Sequence, residues 1–411
     1  MFRYLWNLEN IKVDNLPGSK FSDIVRKYQQ QIYEKFIQDL SIAFWKEYKK
    51  VLIQVPTSHF KDFLKVLKDK KQDSILRNSE VEIVEIDVSK ISQVEDFEKV
   101  YQDYLKYIFS FDKFVEIFDT IREMESFWKD EKQRQQIAVA YANFMKQLLN
   151  WTAKNPKLKT YFPSQEQAEL ENMSLEEFCK LYLKVASLDW NEVYESDEEL
   201  VKLFNECDEV EIIGENANIR FWIKWMKARN SVISANYPGS EVFSAPNKYA
   251  VNWWIYYPNE VYFKFTDDVF PNPYFEFKDW KLVKFEVRGV KWEEKVRLEK
   301  VFWDKIKESE WNFYLWELAF GTNPYVPVGL KHKLIGEKAF GMHFALWRAY
   351  KYEWVNNWNN DATIHWDAIR TLKDNIKVYF KKWNEKFLVI ENWIYNSEIC
   401  SKLYKLSLLA S

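Results

Sequence analysis

The chain has 411 residues, a net charge of −3 and an apolar fraction of 47%. That length supports two or three domains with buried cores, and the charge offers no basic footprint for a nucleic acid or an anionic membrane. No run reaches the 18 or so uninterrupted apolar residues of a membrane span, and the start, MFRYLWNLENIKVDN, lacks the apolar core and cleavage site of a secretory signal.

In chain order, Lys49 to Pro56 (KKVLIQVP) is a short β-rich run closed by proline. Phe60 to Gln72 follows, with Phe60, Phe63, Leu64 and Leu67 at the spacing of one helix face. Val81 to Val88 (VEIVEIDV) reads as a second strand. Strand, helix and strand in so short a span predict a βαβ unit with parallel pairing. Residues 93 to 150 read as helical, and the aromatic stripes in FEKVYQDYLKYIFSF suit a core better than a cofactor. The pattern breaks at KNPKLKTYFPSQEQ, which holds two prolines. Ser174 and Glu177 then form a capping box before an apolar-periodic helix. DEVEIIG and ANIRFWIK alternate as strands, as do VYFKF, YFEFKDWKLVKFEV and KFLVIENWIY further on. A helix is expected over Trp292 to Glu308, and the tail SEICSKLYKLSLLAS is a short helix or a ragged end. The fold class is thus α/β and α+β. An N-terminal α/β domain with a βαβ unit spans 1–165, and a C-terminal mixed, β-rich domain spans 166–411.

Three separated cysteines, Cys179, Cys207 and Cys400, form neither a disulfide framework nor a CxxC pair. A reducing cytoplasm is the simplest home for them.

The composition holds one anomaly: 20 Trp against 8 Gly. Against an ordinary glycine share of about 7%, the missing glycines nearly match the surplus tryptophans. Several tryptophans also stand where turn chemistry asks for glycine. FKDWKLVKFEV has two alternating apolar runs around Asp279-Trp280, and VIENWIYN repeats the arrangement at Asn392-Trp393. Asp-Gly and Asn-Gly are favoured two-residue hairpin turns, because type I′ geometry needs φ > 0 at both positions. Some genetic codes read the UGA codon as tryptophan and others as glycine. The expectation is that many of these positions are glycine in the native protein. Trp190 and Trp366 read as genuine tryptophans; the alternative is a naturally tryptophan-rich chain.

The chemistry concentrates in the second domain. PGSEVFSAP sets Glu241 between a Gly turn and a Pro turn, and LWELAFGTNP sets Glu317 before a Gly-Thr-Asn-Pro turn. GMHFALWRAY and IHWD add His343, Tyr350, His365 and Asp367. His59 and His332 have no comparable company. Imidazole and carboxylate are ligands for borderline divalent cations such as Zn, Co or Mn. On an extended segment His365 and Asp367 point the same way, since side chains repeat with period two. A lone H-x-D is also an ordinary hydrogen-bonded pair, so spacing alone leaves both readings open.

The ordered motifs GSEVFSAP, WELAFGTNP, HFALWRAY and ATIHWD resemble those of the dinuclear metalloaminopeptidases typified by aminopeptidase S and aminopeptidase T. The resemblance covers Met173 to Trp393 and is loose over the N-terminal region. The family's glycines fall on Trp316 and Trp347. The resemblance implies two divalent ions of the Zn, Co or Mn class, with Glu241, Glu317, His343, His365 and Asp367 as ligands. Glu337 matches a further acidic residue of the centre, at less regular spacing. It also implies catalytic roles for Tyr350, as an oxyanion partner, and for Glu317. The bridging carboxylate and the general base are not distinguished, and Tyr350 and Glu337 also have plain readings as a packing aromatic and a surface charge. Genuine tryptophans at 316 and 347 would crowd the ligands beside them.

The implied function is an intracellular metalloaminopeptidase. It would act on peptides with a free N-terminus, through a metal-activated water, as a homodimer without nucleic acid or membrane partners. A non-catalytic structural homologue is disfavoured by the intact ligand positions. Another metal-dependent amidohydrolase is separated from the first reading by nothing in the sequence.

Overall fold

The structure, a computed structural model, describes residues 2–16, 20–44, 46–87, 96–120, 157–233, 235–247, 251–263, 265–332, 334–347 and 365–410, with scattered positions between 136 and 151. They form two compact units, Met1–Leu188 with Ile233–Pro238, and Asp189–Val232 with Gly239–Ser411. The helices Gln165–Leu170 and Leu175–Ala186 belong to the first unit, so the chain passes between units later than residue 165.

The first unit is an α/β layer. Its strands are β1 (Phe2–Asn7), β2 (Lys50–Pro56), β3 (Glu80–Ile86), β4 (Lys113–Phe118) and β5 (Lys157–Tyr161), joined by β9 (Asn236–Tyr237) from later in the chain. The order is β1-β3-β2-β4-β5-β9. β2 pairs in parallel with both β3 and β4, and the helix Phe60–Lys70 connects β2 to β3. This is the expected βαβ unit. The capping box also forms: the Ser174 hydroxyl accepts from the Glu177 N–H, and the Glu177 carboxylate accepts from the Ser174 N–H at 2.8 Å.

The reading of 93–150 as helical holds over Phe97–Ile108 and fails at β4. β4 lies between two parallel partners and is buried along nearly its whole length. Such a strand has no polar face, so its sequence carries no period-two signal. β5 lies inside the proline-broken stretch, and β1 pairs antiparallel to β3 at the sheet edge.

The second unit packs two antiparallel sheets. One holds β6 (Glu209–Gly214), β7 (Ala217–Trp222), β11 (Val251–Tyr256), β14 (Tyr274–Lys278), β15 (Lys281–Glu286), β19 (Lys377–Lys382), β20 (Glu385–Glu391) and β21 (Ile394–Tyr395). The other runs in the order β18 (His365–Arg370), β17 (Gly341–Trp347), β16 (Leu315–Gly321), β10 (Glu241–Ser244) and β8 (Arg229–Asn230). A ribbon of β12 (Val261–Phe263) and β13 (Asp268–Phe270) stands beside them. One apolar core runs through both sheets, with Val210, Ile219 and Phe380 from the first and Leu318, Phe344 and Trp366 from the second. The helix Trp292–Ile306 adds Leu298, Phe302 and Ile306 to this core. Among the described residues no helix is long and apolar enough to cross a membrane.

The β14–β15 and β20–β21 connections carry the expected turn geometry. Asp279 and Trp280 have φ of 48° and 69°, and Asn392 and Trp393 have φ of 48° and 63°. Both central residues are left-handed, as a type I′ turn demands. Trp225, Trp253 and Trp383 also have positive φ, so five of the twelve non-glycine residues with positive φ among those described are tryptophan. Left-handed backbone costs an L-residue with a Cβ about 1–2 kcal/mol.

Candidate metal centre

Period-two alternation divides the β18–β17–β16–β10 face cleanly. Val242, Leu318, Phe320, Met342, Phe344, Leu346, Trp366 and Ala368 are core residues. Their chain neighbours therefore stand on the opposite face. Antiparallel register aligns those neighbours across strands: Glu241 lies opposite Gly321, Ala319 opposite His343, Glu317 opposite Ala345, and Ala345 opposite Asp367. Each apolar residue that anchors the core, worth roughly 1.5–3 kcal/mol when fully buried, thereby also fixes the aim of the polar residue beside it.

Glu241, Glu317 and His343 converge on that face, all buried, with candidate ligand atoms within 4.8 Å of one another. His343 Nε2 stands 3.3 Å from Glu317 Oε1 and 3.6 Å from Glu241 Oε2. Glu241 Oε2 is buried and accepts no hydrogen bond from the described residues. A buried carboxylate oxygen left in that state costs free energy unless a cation or proton meets it.

A second charged group reaches the cluster from a 3-10 turn, Gly336–Lys338. Lys338 is fully buried, and its ammonium pairs with Glu241 Oε1 and, at 2.6 Å, with Glu337 Oε1. Gly321 makes this approach possible. A Cβ built there would stand 2.1 Å from the Ala339 carbonyl oxygen and 2.9 Å from that of Glu337. The Asn323 N–H donates to the Lys338 carbonyl at 3.1 Å, pinning the turn to the end of β16. The glycine of FGTNP thus serves to admit the backbone that carries Glu337 and Lys338.

The protonation balance reports a deficit of positive charge. Burial works against the His343 imidazolium, but the hydrogen bond to Glu317 and the charges of Glu241 and Asp367 hold its pKa up at about 9. Burial pushes Glu337 up to about 7, with Lys338 opposing and Asp367 and Glu241 adding. Burial also opposes the Lys338 ammonium, yet Glu241 and Glu337 raise its pKa above the ordinary lysine value. A divalent cation would take over the role of the His343 proton, since a ligating histidine is neutral. The nitrogen and oxygen donors suit a borderline cation, so the residues present fit a metal.

Asp367 is half-buried on β18 and lines a cavity of about 40 Å³ with Glu337, Glu260, Tyr262, Leu330 and His332. His332, which has no company in the sequence, therefore shares a cavity wall with two of the expected site residues. Its Nδ1 accepts from the Leu334 and Ile335 N–H groups at 3.2 and 3.1 Å. His365 occupies β18 opposite Trp347; the side chains of both, and all of Tyr350, lie outside the described residues. Lys338 and the buried Asp197 escaped the sequence reading. Burial holds the Asp197 carboxyl well above its usual range, with the Thr322 hydroxyl opposing and Glu241 adding.

Trp316 does not crowd its neighbour Glu317. It is the extra residue at a register shift between Leu315 and Glu317. Its ring is buried beside Trp311 and Tyr314, and its N–H donates to the Trp311 carbonyl at 3.3 Å.

The sequence matches no family model and no curated protein. Solved structures with the same fold exist. Wild-type AmpT from Thermus thermophilus aligns with a TM-score of 0.68 at 13% identity, over 90% of this chain and 99% of its own. 2,5-Dihydroxypyridine dioxygenase from Pseudomonas putida KT2440 aligns with a TM-score of 0.59 at 10% identity, over 90% and 98%. At these identities the likeness shows the fold.

Proposed function

We propose that the chain is a metal-dependent aminopeptidase that releases N-terminal residues from peptides. The observation that carries this reading is the buried Glu241–Glu317–His343 cluster on one sheet face. The AmpT-like fold and the four ordered motifs support it. Glu241, Glu317 and His343 would hold the metal, with His365 and Asp367 of β18 supplying further donors. When bound, the metal supplies Lewis acidity and lowers the pKa of a water. Acidic side chains beside the metal would receive the α-ammonium of a free N-terminus, and Tyr350 is the candidate oxyanion partner. The active unit on this reading is a cytoplasmic homodimer, in which the buried thiols of Cys179, Cys207 and Cys400 stay free.

The test is cleavage of aminoacyl-anilides by the purified chain, before and after chelation, and with N-acetylated substrates alongside. Activity lost on chelation, restored by Zn, Co or Mn and absent on N-acetylated substrates supports the reading. Equal cleavage of blocked substrates points instead to another amidohydrolase. The dioxygenase with the same fold makes oxygen uptake with dihydroxylated aromatics the necessary control.

The same reading takes the tryptophans at turns, and Trp316 and Trp347 in the motifs, as glycines of the native protein. Trp225 and Trp383 are about four-fifths exposed with positive φ, and each ring meets only the Lys224 ammonium among the cation contacts described, at 5.6 and 4.3 Å. The Trp393 indole N–H is buried without an acceptor among the described residues. Trp190 and Trp366 behave as genuine core residues: both are fully buried, and Trp366 donates to the Tyr262 carbonyl at 2.9 Å.

A further inference from the structure

We infer that this centre binds one divalent cation, and that the Lys338 ammonium occupies the place a second cation would take. The inference rests on the proposed metal site and departs from the two ions that the motif resemblance implies.

The two oxygens of Glu241 are already divided between two cationic places. Oε2 faces His343 Nε2 at 3.6 Å, within the Glu241–Glu317–His343 cluster. Oε1 is held by Lys338 Nζ, which also holds Glu337 Oε1 at 2.6 Å. Lys338 therefore bridges Glu241 and Glu337, two of the carboxylates that a dinuclear centre would need as ligands. Paired metals that share a water stand about 3.5–4 Å apart. A second dication on the Oε1 side of Glu241 would meet the ammonium at ion-pair distance, with burial removing the water that screens like charges.

The ammonium cannot swing aside easily. Lys338 has no exposed surface. Its backbone is fixed at both faces: the carbonyl by the Asn323 N–H at 3.1 Å, and the turn by close approach to Gly321. The fixed ammonium supplies one positive charge to Glu241 and Glu337 without a metal. The remaining donors of the described cluster, Glu241 Oε2, Glu317 and His343, gather at one place, to which the β18 donors of the proposed site would add.

The test is metal stoichiometry on the full chain, freed of metal and then dialysed against Zn or Mn. Elemental analysis should return one ion per chain in the wild type. In Lys338→Met, which removes the ammonium and keeps the stem, it should return two. Mn EPR of the wild type, which needs no variant, should show an isolated ion. Two ions per wild-type chain, or the spectrum of an exchange-coupled pair, overturns the inference while leaving the metal site standing. One ion in both wild type and a folded Lys338→Met protein overturns the role given to Lys338. No bound ion at all sinks the metal site itself, and the inference with it.

Discussion

Gly321 lies directly opposite Glu241 in the β10–β16 register, and the Ala339 carbonyl oxygen rests where a Cβ on Gly321 would be. The pairing joins the sheet that carries the Glu241–Glu317–His343 cluster to the turn that delivers Glu337 and Lys338. Gly321→Ala should displace that turn. Overpacking of this kind costs about 1–3 kcal/mol, so a melting temperature several degrees lower is expected, with weaker metal binding measured by calorimetric titration. A variant that melts and binds metal as the wild type does would remove the role given to the glycine.

Glu317→Ala and His343→Ala each remove a donor from the three-residue cluster. Partners one shell further out from a metal typically contribute 10–100-fold in affinity, so loss of a direct donor should weaken binding by more than about 100-fold. Competition with a chelating dye measures this. Retention of affinity in both variants would place the metal elsewhere.

The metal-free protein should lose stability as pH rises. His343 has a folded pKa of about 9, above its ordinary 6.5. Its contribution is full below 6.5 and lost as pH climbs through 9, a window worth roughly 3 kcal/mol. Glu337, raised from 4.5 to about 7, acts in the same direction between those values, because its protonated form suits the fold. Denaturant midpoints from pH 5 to 9.5 should therefore fall for the metal-free chain. His343→Gln should flatten the upper half of that curve, and bound metal should do likewise, since it displaces the proton. A flat profile in the metal-free wild type would contradict the electrostatic account of the cluster.

Some of this architecture is legible in the residues and some is not, for identifiable reasons. The Ser174–Glu177 capping box, the β2–helix–β3 unit and the hairpins at 279–280 and 392–393 depend on local chemistry, so their sequences announce them. The convergence of Glu241, Glu317 and His343 needed the ordered motifs, because strands 76 residues apart at Glu241 and Glu317 carry no mutual signal. β4 was hidden because burial on both faces erases alternation. Lys338 was hidden because a lysine after a glutamate in GEKAFG reads as solvated charge. Only the close approach at Gly321 turns it inward.

Trp280 and Trp393 occupy the second left-handed position of two hairpin turns whose first positions are Asp279 and Asn392. Asp-Gly and Asn-Gly are favoured there, because glycine reaches φ > 0 without a Cβ clash. Trp280→Gly and Trp393→Gly should each stabilise the chain by about 1 kcal/mol, and Trp393→Gly also removes a buried N–H that has no acceptor among the described residues. The effects should add, since the two turns are separate in the sheet order. By contrast Trp366→Gly should destabilise by more than about 3 kcal/mol, as large-to-small changes in a core do. Thermal melts of the three variants separate the two classes. Peptide mass spectrometry of the protein from its source then reads the native residues directly, at about 129 Da less for each glycine in place of tryptophan, a difference set by the side chain alone. Tryptophan masses at 280, 316, 347 and 393 in those peptides would end the recoding reading, however the variants melt.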